Sequence, residues 1–201
     1  MKFDEKIQLI IVGESSVGKT SLLYKYIWHN NLLVFRYTQG VFTNQHLATV
    51  GLEYFTKEEK IEDKVIRVKI WDTAGQEQYK ALTRNFYRNS DGVIIVYDVT
   101  QKSTFEKIQE WVQSIMDNTE KTIKMVLIGN KIDLPREVTT EEGKKLADFY
   151  KIPFFETSAK ENVGINEFMK KIISEVLESF KPNENIKLES KDNTTSKGCK
   201  C

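Results

Sequence analysis

"IIVGESSVGKTSLL", Ile10–Leu23, is the stretch on which the fold turns. Its first residues close an apolar run, "IQLIIVG" (Ile7–Gly13), that has the pattern of a buried strand. Its last residues open "SLLYKY", which has the spacing of a helix. Between strand and helix lies Gly-x-x-x-x-Gly-Lys-Thr, Gly13–Thr20. Gly13 and Gly18 let the backbone curl so that successive N–H groups, across Ser15, Ser16 and Val17, face one phosphate. The helix that follows, through Ser21, adds its positive N-terminus. Lys19 supplies a point charge to β and γ phosphates, and Thr20 offers a hydroxyl to Mg2+. A Gly-rich turn without a ligand is the bland reading; the strand before it and the helix after it weigh against that.

Outward from this loop, short apolar runs alternate with amphipathic stretches, the pattern of βα units around a parallel sheet. "VIRVKIWD" (Val65–Asp72) alternates, with Ile66, Val68 and Ile70 on one face, and pairs with "TVGLEYFTKE" through a turn at Glu62–Asp63. "GVIIVYDVT", "MVLIGN" and "IPFFETS" are three further strands, too continuously apolar to be half exposed. The expected fold is α/β of P-loop NTPase type, a mostly parallel six-stranded sheet with helices on both faces. Ser103 with Glu106 and Thr139 with Glu142 have capping-box spacing. Phe105, Ile108, Trp111, Val112, Ile115 and Met116 form one helical stripe, and Ile165 through Phe180 another; both read as core. Pro182 stops the last pattern, and a polar, aperiodic tail follows. One domain over residues 1–180 and a flexible tail over 181–201 are expected.

The bulk numbers agree. Of 201 residues, 40% are hydrophobic and 29% charged, the balance of a globular domain. Thirty basic residues against 29 acidic ones leave a net charge of +1, so no strong field draws the chain to nucleic acid. Two cysteines cannot staple a fold, and a reducing compartment is the natural home. The N-terminal apolar run is short and follows acidic residues, which argues against a signal peptide or a membrane span.

In such sheets ligands sit beyond the carboxyl ends of strands. "NKID", Asn130–Asp133, ends the "MVLIG" strand. The Asp133 carboxylate can accept from N1–H and N2–H₂ of guanine; adenine lacks that donor pair and would leave the charge unpaired. Lys131 can lay its alkyl stem along the base. "WDTAGQE", Trp71–Glu77, ends another strand. There Asp72 is placed to hold Mg2+ through water, Gly75 to give its N–H to the γ phosphate, and Gln76 to orient the attacking water. In "ETSAK", Glu156–Lys160, Ser158, Ala159 and Lys160 flank the base from its far side.

These motifs, in this order over about residues 6–180, resemble a small GTPase of the Ras superfamily and, within it, a Rab. "TAGQEQYKALTRNFYRNSDGVIIVYDVT" is similar to the Rab switch II region, although Gln78 replaces the basic residue usual there. The resemblance implies GTP and GDP with Mg2+, a guanine-nucleotide-dependent switch that hydrolyses GTP, and work in vesicle and membrane trafficking. It implies catalytic parts for Lys19, Gln76 and Thr49, with Thr20, Thr49 and Asp72 around the metal. It places an effector-binding aromatic triad at Tyr54, Trp71 and Phe86; the bland alternative is that the three rings are core. Ser15 stands where Ras proteins have glycine, a replacement Rab proteins tolerate. Hydrolysis alone is expected to be slow, with an arginine from a GAP accelerating it by roughly 10³–10⁵. GEF, GDI, prenylation escort and effector proteins are the other implied partners. A GTP-holding module without significant hydrolysis and a P-loop kinase are the rival classes; Gln76 argues against the first and "NKID" against the second.

One segment departs from the pattern. Thr49, in "TVGLEY", is the only sensible switch I threonine, and it lies further from Thr20 than in the family. Removing "IWHNNLLVFRY", Ile27–Tyr37, restores the spacing and puts Phe42 where the family packs an aromatic ring on guanine. Three readings of this apolar block stand: an extra turn of the first helix, a partner or membrane contact, and a gene-model artefact. His29 and His46 are too isolated for a metal site. At the chain's end, "CKC" resembles the doubly prenylated Rab ending, with Cys199 and Cys201 as acceptors. One lipid chain often anchors only marginally, so two geranylgeranyl groups answer a physical need. That implies the cytoplasmic face of intracellular membranes, in exchange with cytosol. A metal-binding or redox Cys-x-Cys is the rival.

Overall fold

The structure, a computed structural model, describes residues 3–28, 52–61, 63–73, 86–119 and 123–180, with only the backbone of Trp28 and Leu52. Its strands are β1 (Glu5–Val12), β2 (Leu52–Ile61), β3 (Lys64–Thr73), β4 (Gly92–Asp98), β5 (Lys124–Asn130) and β6 (Phe154–Thr157). Its helices, among the described residues, are α1 (Lys19–Trp28), α2 (Lys102–Glu106), α3 (Ile108–Asn118), α4 (Thr140–Tyr150) and α5 (Ile165–Phe180). The six strands form one sheet in the order β2-β3-β1-β4-β5-β6. Only β2 runs antiparallel to its neighbour, through a hairpin that pairs Ile61 with Lys64. The other pairings are parallel.

Parallel strands need crossovers, and the crossover helices cover both faces. Alternation along β1 divides its side chains between them. Ile7, Leu9 and Ile11 join a core with Leu22 and Leu23 of α1 and Phe168, Ile172 and Val176 of α5. Ile10 and Val12 join the opposite core with Ile108, Trp111 and Ile115 of α3 and Ala147 of α4. Every residue of β4 is buried, as its unbroken apolar run requires. Each fully buried aliphatic side chain contributes roughly 1.5–3 kcal/mol. Strand order reverses around β1, and the carboxyl end of β1 opens into the Gly13–Gly18 loop at that switch point.

Three expectations need correction. The strand in "IPFFETS" is Phe154–Thr157 alone, and three of its four residues are half-buried, because β6 is the sheet edge with one neighbour. Ser103 caps no helix: α2 begins at Lys102 after Gln101, with no side-chain cap bond, and the helix is interrupted at Lys107 before α3. There Thr104, not Ser103, does the local bonding, its hydroxyl donating to the Gln101 carbonyl at 2.8 Å. Met116 and Phe180 leave their stripes for solvent, 56% and 47% exposed. Of the three readings of the apolar block, the extended first helix agrees with its start: Ile27 and Trp28 continue α1, and Ile27 packs on the core. The rest of that block, residues 29–37, lies outside the described residues, as do His29 and His46. The Thr139–Glu142 box is formed in full. No described helix is long and apolar enough to cross a membrane.

Candidate nucleotide site

The loop after β1 needs its glycines at two points. Gly13 has φ +141°, and a Cβ there would sit 2.1 Å from the Val96 carbonyl oxygen. Gly18 has φ +97°, and its Cβ would meet Asn130 Nδ2 at 2.4 Å. Between them Ser15 and Ser16 are exposed and Val17 is buried. Ser16 adopts φ +63°, so the tip curls through left-handed backbone. Lys19 folds back over this loop, its ammonium donating to the carbonyls of Gly13 at 2.9 Å and Glu14 at 2.7 Å. Burial pulls the Lys19 ammonium down to about 8, against the opposing pull of Asp72 and Glu14. Ser21 is half-buried on the first turn of α1.

Asp72 reaches the same place from β3, where it pairs in register with Ile11. It is fully buried, and burial pushes its carboxyl above the usual range despite the Thr20 hydrogen bond and the Lys19 charge. Thr20 Oγ1 donates to Asp72 Oδ2 at 2.7 Å. The other oxygen, Oδ1, has no hydrogen-bond partner among the described residues. A hydroxyl oxygen and an underused buried carboxylate side by side fit a small hard cation that keeps water and phosphate as its other ligands.

The candidate base loops follow β5 and β6, two and three strands along from β1. Asn130, at the end of β5, is buried and joins three segments. Its Nδ2 donates to the Val17 carbonyl at 2.9 Å, while Oδ1 accepts from Thr157 Oγ1 at 3.0 Å and Ala159 N at 3.3 Å. Asp133 Oδ1 accepts from Ser158 Oγ at 2.6 Å. Lys160, largely exposed, brings its ammonium to 4.0 Å from Asp133 Oδ2. Lys131 has φ +69° and an ion pair to Asp98 Oδ2 of 2.6 Å. Thus Asn130 holds Thr157 and Ala159 while Asp133 holds the intervening Ser158, and Asn130 joins this group to the Gly13–Gly18 loop through Val17.

Three aromatic rings mark a separate surface. Tyr54 and Trp71 pair across β2 and β3 with centroids 5.2 Å apart, and Trp71 meets Phe86 at 4.8 Å. Lys69 sets its ammonium over Tyr54 and Trp71 at 4.1 and 3.9 Å. Tyr54 is 57% exposed, whereas Trp71 and Phe86 are half-buried on the second core. The rings therefore run from core to solvent, so neither "core" nor "surface" describes all three.

Phe42, Thr49, Gly75, Gln76, Cys199 and Cys201 lie outside the described residues. Two residues given no part on sequence grounds stand in the group. Thr157 ends β6 beside Asn130, and Asp98 ends β4 beside Lys131. Both obey the strand-end rule that singled out the others, but only the register and the contacts show which neighbours they meet.

Residues 8–178 match the Ras family. The chain belongs to the Ras family. As a Ras-family protein it is similar to Ras-related protein Rab-13 of Rattus norvegicus, 36% identical over 177 residues, 87% of this chain and 82% of that protein. It is likewise similar to Ras-related protein Rab-3D of Homo sapiens, 36% identical over 198 residues, covering 98% of this chain and 84% of that one. GTP-binding protein yptV2 of Volvox carteri is 35% identical over 178 residues, 87% and 77% of the two chains. Ras-family members are GTPases, and on that membership the chain is a GTP-hydrolysing small GTPase, a guanine-nucleotide switch of Rab resemblance. The P-loop kinase reading is thereby set aside.

Proposed function

We propose that this Ras-family GTPase is a Rab-type switch that recruits effectors to intracellular membranes and regulates vesicle traffic. The reading is carried by the Asp133 carboxylate, fixed by Ser158 in the loop next to Asn130, whose amide is bonded to the phosphate loop at Val17. That spacing suits a guanine ring on Lys131, Asp133, Ser158, Ala159 and Lys160, with its phosphates along Gly13–Ser21.

In this reading Lys19 and the loop N–H groups hold the β and γ phosphates. Thr20, Thr49 and Asp72 would hold Mg2+, which when bound neutralises charge on the phosphate oxygens. Gln76 orients the attacking water, and Thr49 and Gly75 contact the γ phosphate, so its loss releases both switch segments. Tyr54, Trp71 and Phe86 form the effector surface, and Phe42 stacks on the base. A domain over 1–180 carries this chemistry. Residues 181–201 form the tail whose Cys199 and Cys201 each take a geranylgeranyl group. GEF, GAP, GDI and escort proteins are its regulators, and the cytoplasmic membrane face its place of work.

The test uses the full chain. Purified protein is expected to exchange fluorescent GDP for GTP in strong preference to ATP and to release phosphate slowly, faster with a GAP. Gln76→Leu should stop that release without loosening GDP. In its native cell, Cys199→Ser with Cys201→Ser should move it from membranes to cytosol. Unchanged phosphate release by Gln76→Leu, or membrane retention without both thiols, would overturn the corresponding part.

A further inference from the structure

Asp98 is a buried carboxylate, 1% exposed, at the last position of β4. Its surroundings fix it from two sides. The backbone N–H donates to Thr104 Oγ1 at 3.0 Å, and that hydroxyl is held by the Gln101 carbonyl at 2.8 Å. Carboxylate Oδ1 accepts from both the Thr100 N–H at 2.9 Å and the Thr100 hydroxyl at 2.7 Å. Oδ2 is thereby aimed at the Lys131 ammonium, 2.6 Å away. The strand register puts Asp98 directly beside Asn130, so the pair bridges two adjacent strand ends.

Lys131 needs such a restraint. Its φ of +69° is left-handed, a conformation disfavoured for a residue with a Cβ. A four-carbon stem with a free ammonium would sample many rotamers. With the backbone turned back and the head paired with a buried carboxylate, the half-buried side chain loses much of that freedom. A tethered lysine stem offers an apolar edge, the kind of surface a purine ring packs against.

We propose that Asp98 is a positioning residue for the guanine site, acting through Lys131 to hold its alkyl stem flat against the base. This rests on the reading that the base lies on Lys131. The restraint is electrostatic: a neutral side chain of the same shape keeps the Thr100 bonds and loses the pull on the ammonium. Outer partners of metal ligands are worth roughly 10–100-fold in affinity, and a loss at the low end of that range is expected here.

The experiment follows release of fluorescent GDP from full-length protein, with thermal melting of the GDP-bound form alongside. Asp98→Asn should speed release about tenfold, Lys131→Met should speed it at least as much, and the double variant should match Lys131→Met alone. Thr100→Val, which removes one of the bonds aiming the carboxylate, should speed release to a smaller degree and serves if Asp98→Asn does not fold. Wild-type release from Asp98→Asn, or from Thr100→Val where that variant stands in, overturns the proposal. So do single effects that multiply in the double variant, since a general loosening of the fold would act independently of Lys131. If Lys131→Met itself releases GDP at the wild-type rate, the placement of the base is wrong, and this inference falls with it.

Discussion

Among the described residues at the base end, the main side chains are already held by protein: Asn130 by Val17, Thr157 and Ala159, Asp133 by Ser158, and Lys131 in an ion pair with Asp98. At the phosphate end, Lys19 has its ammonium on two loop carbonyls, and Asp72 keeps one buried oxygen without a hydrogen-bond partner among the described residues. A satisfied network is rigid and selects by shape and donor pattern. Charges that are only half compensated select by charge, because a phosphate and a cation complete them. On this reading guanine is chosen where the protein is stiffest. Phosphate number is read where its own electrostatics are least complete.

The contrast is broken most severely at Asp133. Asp133→Ala should abolish preference for guanine over adenine nucleotides, a change on the order of 10⁴ in relative affinity. Competition of GDP and ADP against fluorescent GDP measures it. Equal weakening of both nucleotides would place selectivity elsewhere. Next in size is Asn130→Ala, which cuts the link between the two ends. It leaves the Val17 carbonyl, the Thr157 hydroxyl and the Ala159 N–H short of a partner, and each such group costs about 1–3 kcal/mol. We expect the GDP-bound form to lose about 3 kcal/mol, a Tm drop of about 6–12 °C, with faster GDP release. Melting and release that stay at wild-type values would mean the two ends are not coupled through this side chain.

What could be read from the chain follows the same division. Gly13–Thr20 and Asn130–Asp133 stand out in the sequence because the chemistry proposed for each residue restricts its type and spacing, and strand ends bring the two segments together by topology. The six strands and the two-sided packing were legible from period and apolar continuity. What escaped depended on position in the sheet. Phe154 and Phe155 have the composition of a central strand, and only the strand order makes them an edge. Met116 and Phe180 fit a helical period, but the ends of their stripes run past the neighbours that would cover them. The S-x-x-E at Ser103 has the letters of a cap, yet Thr104 takes up the Gln101 carbonyl and the helix begins two residues before such a cap would start it. Asp98 escaped because a lone aspartate at a strand end means nothing until the register sets it beside Asn130 and Lys131.

The smallest effect sharpens the contrast, because it touches the base-end scaffold without touching the group itself. Helix α4 follows the Asp133 loop and starts with the Thr139–Glu142 box. Glu142 N donates to Thr139 Oγ1 at 3.2 Å, and Thr139 N donates to Glu142 Oε2 at 2.8 Å. Thr139→Ala should lower Tm by about 2–4 °C, the value of one cap. Glu142→Gln should lower it less and in a pH-dependent way. The Thr139 N–H holds the Glu142 carboxyl below its usual range, with the hydroxyl helping. A carboxyl depressed on folding stabilises the fold above its unfolded value, about 4.3, and loses that contribution as pH falls through the folded one. The gap between wild type and Glu142→Gln should therefore be full at pH 7 and close on acidification, a trend that melts across pH 3–7 would reveal. GDP release at pH 7 should stay at the wild-type rate in both variants. The base end is held by bonds among strand ends, so loosening the first turn of a neighbouring helix leaves its grip intact. Faster release from either variant would make the stiffness of that end a property of α4 and not of the Asn130 network.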